Sequence, residues 1–203
     1  MSEPRIGRVL VASLHQSIAD VLPDRLEFYE NWLSGSGLRE GRIGLAPLTA
    51  VLSFLRREGP AYDEVTARAG RYAADWTVQG LSSVKRRMTL MLPARLRTRT
   101  ALRLARTLIR NTYPGSRAII RVRRGSTSID LRGSLFCEVR QVSALPLCGF
   151  YAAAIERVLH LLAVDAAVQV VECRAAGGPR GCTMAITVRP RAEPAPGLPE
   201  HAS

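Results

Sequence analysis

Four cysteines, Cys137, Cys148, Cys173 and Cys182, fall in the last third of this 203-residue chain, and sulfur at that density is the first chemistry the sequence offers. In a reducing compartment, clustered cysteines point to a metal site or to buried thiols rather than to disulfides. Cys148 opens a helical pattern, where the helix dipole favours a thiolate. Cys173 closes one strand pattern and Cys182 opens the next, across the turn Gly177-Gly178-Pro179, so a hairpin draws these two sulfurs together. With the helix start packed over the hairpin mouth, three sulfurs converge. Thiolates so arranged suit Zn²⁺, which takes four ligands in tetrahedral geometry. The fourth place stays open between several groups. Glu172 adjoins Cys173 and faces the other way on a regular strand, unless a bulge rotates it inward; water, Cys137 and His160 are alternatives. Four small buried hydrophobes with no metal is the plain competing reading.

Other catalytic patterns are missing. No Gly-x-Gly-x-x-Gly follows a strand and opens a helix, so no nucleotide cofactor is expected. Gly35-Ser36-Gly37 lies in a helix-to-helix loop, the wrong context. His15 sits on an amphipathic helix, His160 near a helix end and His201 in the tail, and no nucleophile-and-base set is readable around them.

The elements that must position the cysteines divide the chain in two. Up to about residue 113 the pattern is helical. Val9, Leu10, Leu14, Ile18 and Val21 form a stripe in a first helix, and Pro23-Asp24 leads into a second through Trp32 and Leu33. Ser34 to Gly37 reads as a loop. Leu48, Val51, Leu52 and Leu55 mark a third helix, and residues 62–78 a fourth. Pro93 then introduces a strongly periodic helix with Leu96, Ala101, Leu104 and Leu108, closed by Tyr113-Pro114-Gly115. From about residue 116 the period becomes that of strands, at 118–122, 126–131, 134–139, 168–173 and 182–188, with a helix over 149–162. Helices segregated before a mostly antiparallel sheet define an α+β fold. One domain is expected over residues 1–190, with a disordered tail at 191–203.

Composition limits the function. Hydrophobic residues make up 47% and aromatics 5%, so a core of Leu, Val, Ile and Ala is expected. No apolar run reaches the ~20 residues of a membrane span. The start, Met1 to Arg8, does not read as a signal peptide, and the expectation is a cytoplasmic protein. The formal net charge of +12 invites an anionic partner. Nucleic acid is disfavoured, because no stacking aromatics are interleaved with the arginines and no reading motif is present.

The segment Cys148-Gly149-Phe150-Tyr151, then Cys173-Arg174-Ala175-Ala176-Gly177, then Cys182, resembles the 4-vinyl reductase domain family of hydrocarbon-binding domains, in particular the bacteriochlorophyll 4-vinyl reductase type. The likeness extends upstream to Ala69–Trp76 and to Leu90-Met91-Leu92-Pro93-Ala94. The resemblance implies helices packed on a sheet around a ligand cavity, a fold shared with vesicle-tethering transport-protein-particle subunits and with sensor domains of phenol-responsive activators. It also implies a homodimer through N-terminal helices, and metal ligands at a helix-start Cys, a Glu and two hairpin Cys. Carried over, these are Cys148, Cys173 and Cys182, with Glu172 as the carboxylate. Val170 stands where the family's acidic residue usually lies, so Glu172 is displaced from that slot.

The expected cavity walls are Tyr72, Trp76, Leu92, Phe136, Phe150 and Tyr151; Tyr72, Trp76 and Tyr151 combine a large apolar body with a polar handle. Arg71, Arg86, Arg87 and Arg121 are candidate partners for a ligand carboxylate. The functional expectation is a carrier or sensor of an apolar or tetrapyrrole-like molecule, with zinc in a structural role. An enzyme acting on the vinyl group of a chlorophyll precursor and a tether-like interaction protein are the alternatives.

Overall fold

The computed structural model describes residues 6–33, 44–123, 126–139, 142–178 and 181–189. Seven α-helices and a four-stranded sheet make an α+β architecture among these residues. The helices are α1 (Arg8–Val21), α2 (Leu26–Leu33), α3 (Leu45–Leu55), α4 (Pro60–Gln79), α5 (Ser83–Met91), α6 (Ala94–Thr112) and α7 (Gly149–Leu161). The strands are β1 (Arg117–Arg123), β2 (Ser126–Arg132), β3 (Ala166–Glu172) and β4 (Cys182–Val188), all antiparallel in the order β1-β2-β4-β3. The expected Ser34–Gly37 loop, Pro179 of the expected turn between Cys173 and Cys182, and the tail at 191–203 lie outside the described residues.

Among the described residues, helices cover one face of the sheet and leave the other open. Ala118, Ile129, Leu131, Met184, Ile186, Ala166 and Val168 point into the core, while Arg121 and Asp130 pair at 2.7 Å on the other face. That alternation is what an antiparallel sheet with one solvated face requires. α6 and α7 lie on the inner face, α4 packs on α7, and α1 packs on α4. Ser17 Oγ donates to the carbonyl of Val65 at 2.7 Å, tying α1 to α4 where both are buried.

The α4–α7 contact is close because the facing residues are small. Ala69, Gly70, Ala73 and Ala74 of α4 and Ala154 of α7 are all buried. A Cβ added at Gly70 would stand 2.2 Å from the carbonyl oxygen of Phe150 and 3.0 Å from the nitrogen of Ala154. No side-chain rotation relieves a clash with backbone, so the helices must separate.

Two elements differ from the sequence expectation. Residues 134–139 are not a strand: Ser134, Leu135, Phe136 and Cys137 are four consecutive buried residues, which a two-residue alternation cannot deliver, and Leu135–Cys137 form a 3-10 turn instead. Residues 83–91 form a helix that periodicity alone did not delimit. Ser82 caps it, its Oγ accepting from the Lys85 N–H at 3.3 Å, and Leu92-Pro93 ends it. None of its residues is buried.

Gly70→Ala is expected to lower stability by about 1–3 kcal/mol through overpacking. Gly149→Ala, whose new Cβ would meet only Thr66 Oγ1 at 3.6 Å, should be near neutral. Urea midpoints of the two variants against the parent decide it.

Candidate metal centre

All four cysteines are free and buried, and their sulfur atoms lie within 4.8 Å of one another. Each comes from a different element. Cys137 ends the 3-10 turn after β2, Cys148 precedes the first residue of α7, Cys173 follows β3 and Cys182 begins β4.

Cys173 reaches the cluster because of a bulge. Val170 pairs with Met184 and Glu172 with Thr183, so two residues of β3 oppose one of β4 and Val171 is the extra one. Ala166, Val168 and Val170 follow the inward phase of the strand. Unbroken alternation would therefore carry Glu172 inward and Cys173 out to solvent. The bulge reverses that phase: Glu172 is exposed and accepts from Thr183 Oγ1 at 3.2 Å, while Cys173 is buried. On the facing strand, Gly181 precedes Cys182 with a φ of +145°, and a Cβ there would come within 2.6 Å of the Leu131 carbonyl. Glycine lets the chain pass that close.

The distances suit one ion. A metal about 2.3 Å from four tetrahedrally placed sulfurs sets them roughly 3.8 Å apart. Here Cys137 stands 3.4 Å from Cys173 and 3.4 Å from Cys182, and Cys173 stands 3.9 Å from Cys182. The surroundings favour a thiolate at Cys182 and oppose one at Cys137 and Cys148. The Leu147 N–H donates to the Cys173 sulfur at 3.4 Å, and the Arg174 backbone N–H helps hold Cys182 ionised. The neighbouring thiols, Cys137 first and then Cys148, hold Cys182 well below the usual thiol range against the burial that opposes it. Cys137 and then Cys182, together with burial, push Cys148 far above that range. One negative charge is thus readily held, and further ionisation in so small a volume needs a cation.

Two long contacts fix the segments that carry the sulfurs. Tyr62 Oη donates to the Leu147 carbonyl at 3.0 Å beside Cys148. Arg56 Nη2 donates to the Phe136 carbonyl at 3.0 Å beside Cys137.

The structure brings Cys148, Cys173 and Cys182 together and adds Cys137 to them; Glu172 lies outside the group. His160 is also elsewhere, with Nε2 2.8 Å from the Ala166 carbonyl oxygen. His15 pairs with Glu30 at 2.8 Å.

The six expected wall residues line neither of the two larger described cavities. Phe136, Phe150 and Tyr151 form a solid aromatic cluster with ring centroids 4.9–5.4 Å apart. Burial pushes the Tyr151 phenol up to about 12, although Ser116 and Thr112 oppose the shift. Tyr72 and Trp76 stack at 5.8 Å on the partly exposed side of α4, where the Tyr72 hydroxyl donates to Asp20 at 2.5 Å. Leu92 is half-buried between α5 and α6.

The larger cavity, about 1000 Å³, opens instead at the start of α6. Ala94, Thr98, Ala163, Val164 and Val188 supply its walls, with Arg95, Arg97, His160, Asp165 and Arg189 around them. A second cavity of about 610 Å³ shares Arg95 and Thr98 with the first and adds Leu102, Val122 and Thr127. The two therefore adjoin. In the sequence, Arg95, Arg97 and Arg99 read only as the start of a basic helix and do not mark this cleft. Of the arginines expected beside a ligand, Arg121 is engaged by Asp130 and Arg86 and Arg87 are exposed on α5. Arg71 lines a small separate cavity of about 120 Å³.

Burial at 0–3% exposure for all four cysteines predicts that a thiol reagent titrates essentially none of them in the native protein. All four should react once guanidinium and a chelator are added. Fast native reaction of even one thiol would mean that the cluster opens readily.

No protein-family model matches the chain, and no curated protein matches it. The likeness to the 4-vinyl reductase domain family therefore rests on the motifs themselves. Among solved structures, the chain is similar to the crystal structure of the phenol-responsive sensory domain of the transcription activator PoxR with phenol. Sequence identity is 14%, the match covers 70% of this chain and 73% of that chain, and the TM-score is 0.49. At that similarity it assigns no ligand to this chain.

Proposed function

We propose that this protein is a small-molecule-binding module of the 4-vinyl-reductase-domain kind, in which structural zinc held by Cys137, Cys148, Cys173 and Cys182 braces a cleft for an apolar ligand bearing an anionic group. The observation that carries the ligand reading is the cleft at the start of α6, whose volume of about 1000 Å³ is at the upper end of the range that encloses drug-sized molecules. Its aliphatic wall suits an apolar body. Arg95, Arg97 and Arg189 suit a carboxylate, such as the propionate of a tetrapyrrole or the headgroup of a fatty acid. Carrier and sensor roles both follow from such a site.

Zinc in a four-sulfur set has no open coordination position, so it would cross-link the turn after β2 and the end of β3 with the starts of α7 and β4 rather than activate water. The homodimer is proposed through α2 and α3. Phe28, Trp32 and Phe54 cluster there with centroids 5.2 and 5.7 Å apart, and Phe28 and Trp32 are exposed.

Native mass spectrometry of protein purified without chelator, with metal analysis alongside, tests the zinc. One zinc per chain is expected. Cys137→Ser should weaken zinc binding by at least about tenfold, whereas Glu172→Gln should leave it unchanged. The reverse pattern would return Glu172 to the ligand set, and metal-free protein would remove zinc altogether. Stripping the metal should lower the melting temperature by about 10 °C if zinc stands near a thousandfold above its Kd in the assay.

The cleft is tested separately with anilinonaphthalene sulfonate, an apolar anion. Saturable binding to one site per chain is expected. Arg97→Gln should weaken it about tenfold, the scale of one charge-assisted hydrogen bond, and Thr98→Trp should block it. Binding that neither change affects places the probe elsewhere and defeats the assignment.

A further inference from the structure

The net charge of this protein resides in one continuous part of it. Residues 76–129 hold 13 of the 29 Lys and Arg and none of the 17 Asp and Glu, so the remainder is close to neutral. α5 and α6 lie entirely inside that segment. On α6, Arg95, Arg99, Arg103, Arg106 and Arg110 are exposed, and their spacing puts them on one stripe of the helix. None of the described ion pairs involves α5 or α6.

α5 adds an apolar face to this charge. Val84, Met88 and Met91, at i, i+4 and i+7, share one stripe and are 65%, 64% and 77% exposed. At 100° per residue Lys85 and Arg87 flank that stripe, one on each side. The helix is nine residues long and buries none of its side chains. A helix that short is marginal in water without a packed face. Its attachments among the described residues are the Ser82 cap and a bond from Arg97 Nη1 to the Leu90 carbonyl at 3.2 Å.

We propose that α5 is a peripheral membrane-docking element that lies in the headgroup region of an anionic lipid bilayer, with Val84, Met88 and Met91 inserted and Lys85 and Arg87 pairing with lipid phosphates. An apolar stripe bordered by cations is the pattern of interfacial helices, and each basic residue near an anionic surface adds attraction. The α6 arginines extend the positive field. Two other occupants fit less well. Residues 77–112 contain no Phe, Trp or Tyr, so a single-stranded nucleic acid would find nothing to stack on. A second copy of this face would bring like charge against like charge. This is attachment at one surface of the bilayer: no described helix is long and apolar enough to cross a membrane.

The test is co-sedimentation of the full chain with vesicles of phosphatidylcholine containing phosphatidylglycerol, against vesicles of phosphatidylcholine alone. Partition onto the anionic vesicles is expected, at least about tenfold weaker without phosphatidylglycerol and weaker again in high salt. Lys85→Gln with Arg87→Gln should weaken it about thirtyfold, at ~1 kcal/mol per charge. Met88→Ser with Met91→Ser should weaken it at least about tenfold with net charge unchanged. All four positions are exposed, so the thermal melts of both double variants should match the parent. Failure to partition overturns the proposal. So does partition that survives Met88→Ser with Met91→Ser, or equal competition by duplex DNA, since either marks a general polyanion surface.

Discussion

Four thiols gathered at one buried point impose a condition on everything around them. Sulfurs this close in a low-dielectric interior cannot all ionise against one another, so either protons or a cation must complete the centre. Whichever does so also sets how four separate segments meet, because each sulfur arrives from its own element. The supporting contacts follow the same logic. Arg56 holds the turn that carries Cys137, Tyr62 holds the residue before Cys148, and the Leu147 N–H points at the Cys173 sulfur. Arg56 and Tyr62 come from the end of α3 and the start of α4, so segments far apart in sequence from the cysteines help determine whether the sulfurs stay in reach.

The parts of this centre that were legible in the sequence are those set by local signals. A helix start at Cys148 and a Gly-rich turn between Cys173 and Cys182 are short-range features, and they suffice to predict that three sulfurs converge. The bulge at Val171 is not short-range. It depends on how β3 pairs with β4, and it inverts the side on which Glu172 and Cys173 fall. Cys137 was one of several groups open for the fourth place for a related reason: residues 134–139 have β-like composition, yet four buried residues in succession need a turn rather than a pleat.

The cleft proposed to hold a ligand was less legible. Phe150 and Tyr151 follow Cys148 after a single glycine and pack with Phe136 beside the cysteine cluster, so the residues that look most like cavity walls fill space. Residues 94–98 look like the ordinary start of a basic helix. Only the tertiary placement of Val164 and Val188 opposite them makes a cleft there. Sequence periodicity identifies which face of a helix is apolar, but not what lies across from it. α5 shows the same limit from the other side, since its stripe is apolar and nothing described in the chain covers it.

The cleft and the exposed helix are joined mechanically. Pro93 alone separates the end of the α5 segment at Leu92 from Ala94, which lines the cleft. Arg97 stands in the cleft wall and also donates to the Leu90 carbonyl of α5, while its Nε is buried without a partner. A ligand anion that drew the guanidinium toward itself would compete with the bond that holds α5 in place. A partner that fixed α5 would in turn fix Arg97. Any free energy passing between the two sites through this side chain acts equally in both directions. One arginine thus belongs both to the cleft wall and to the contact that holds a nine-residue helix against the body of the fold.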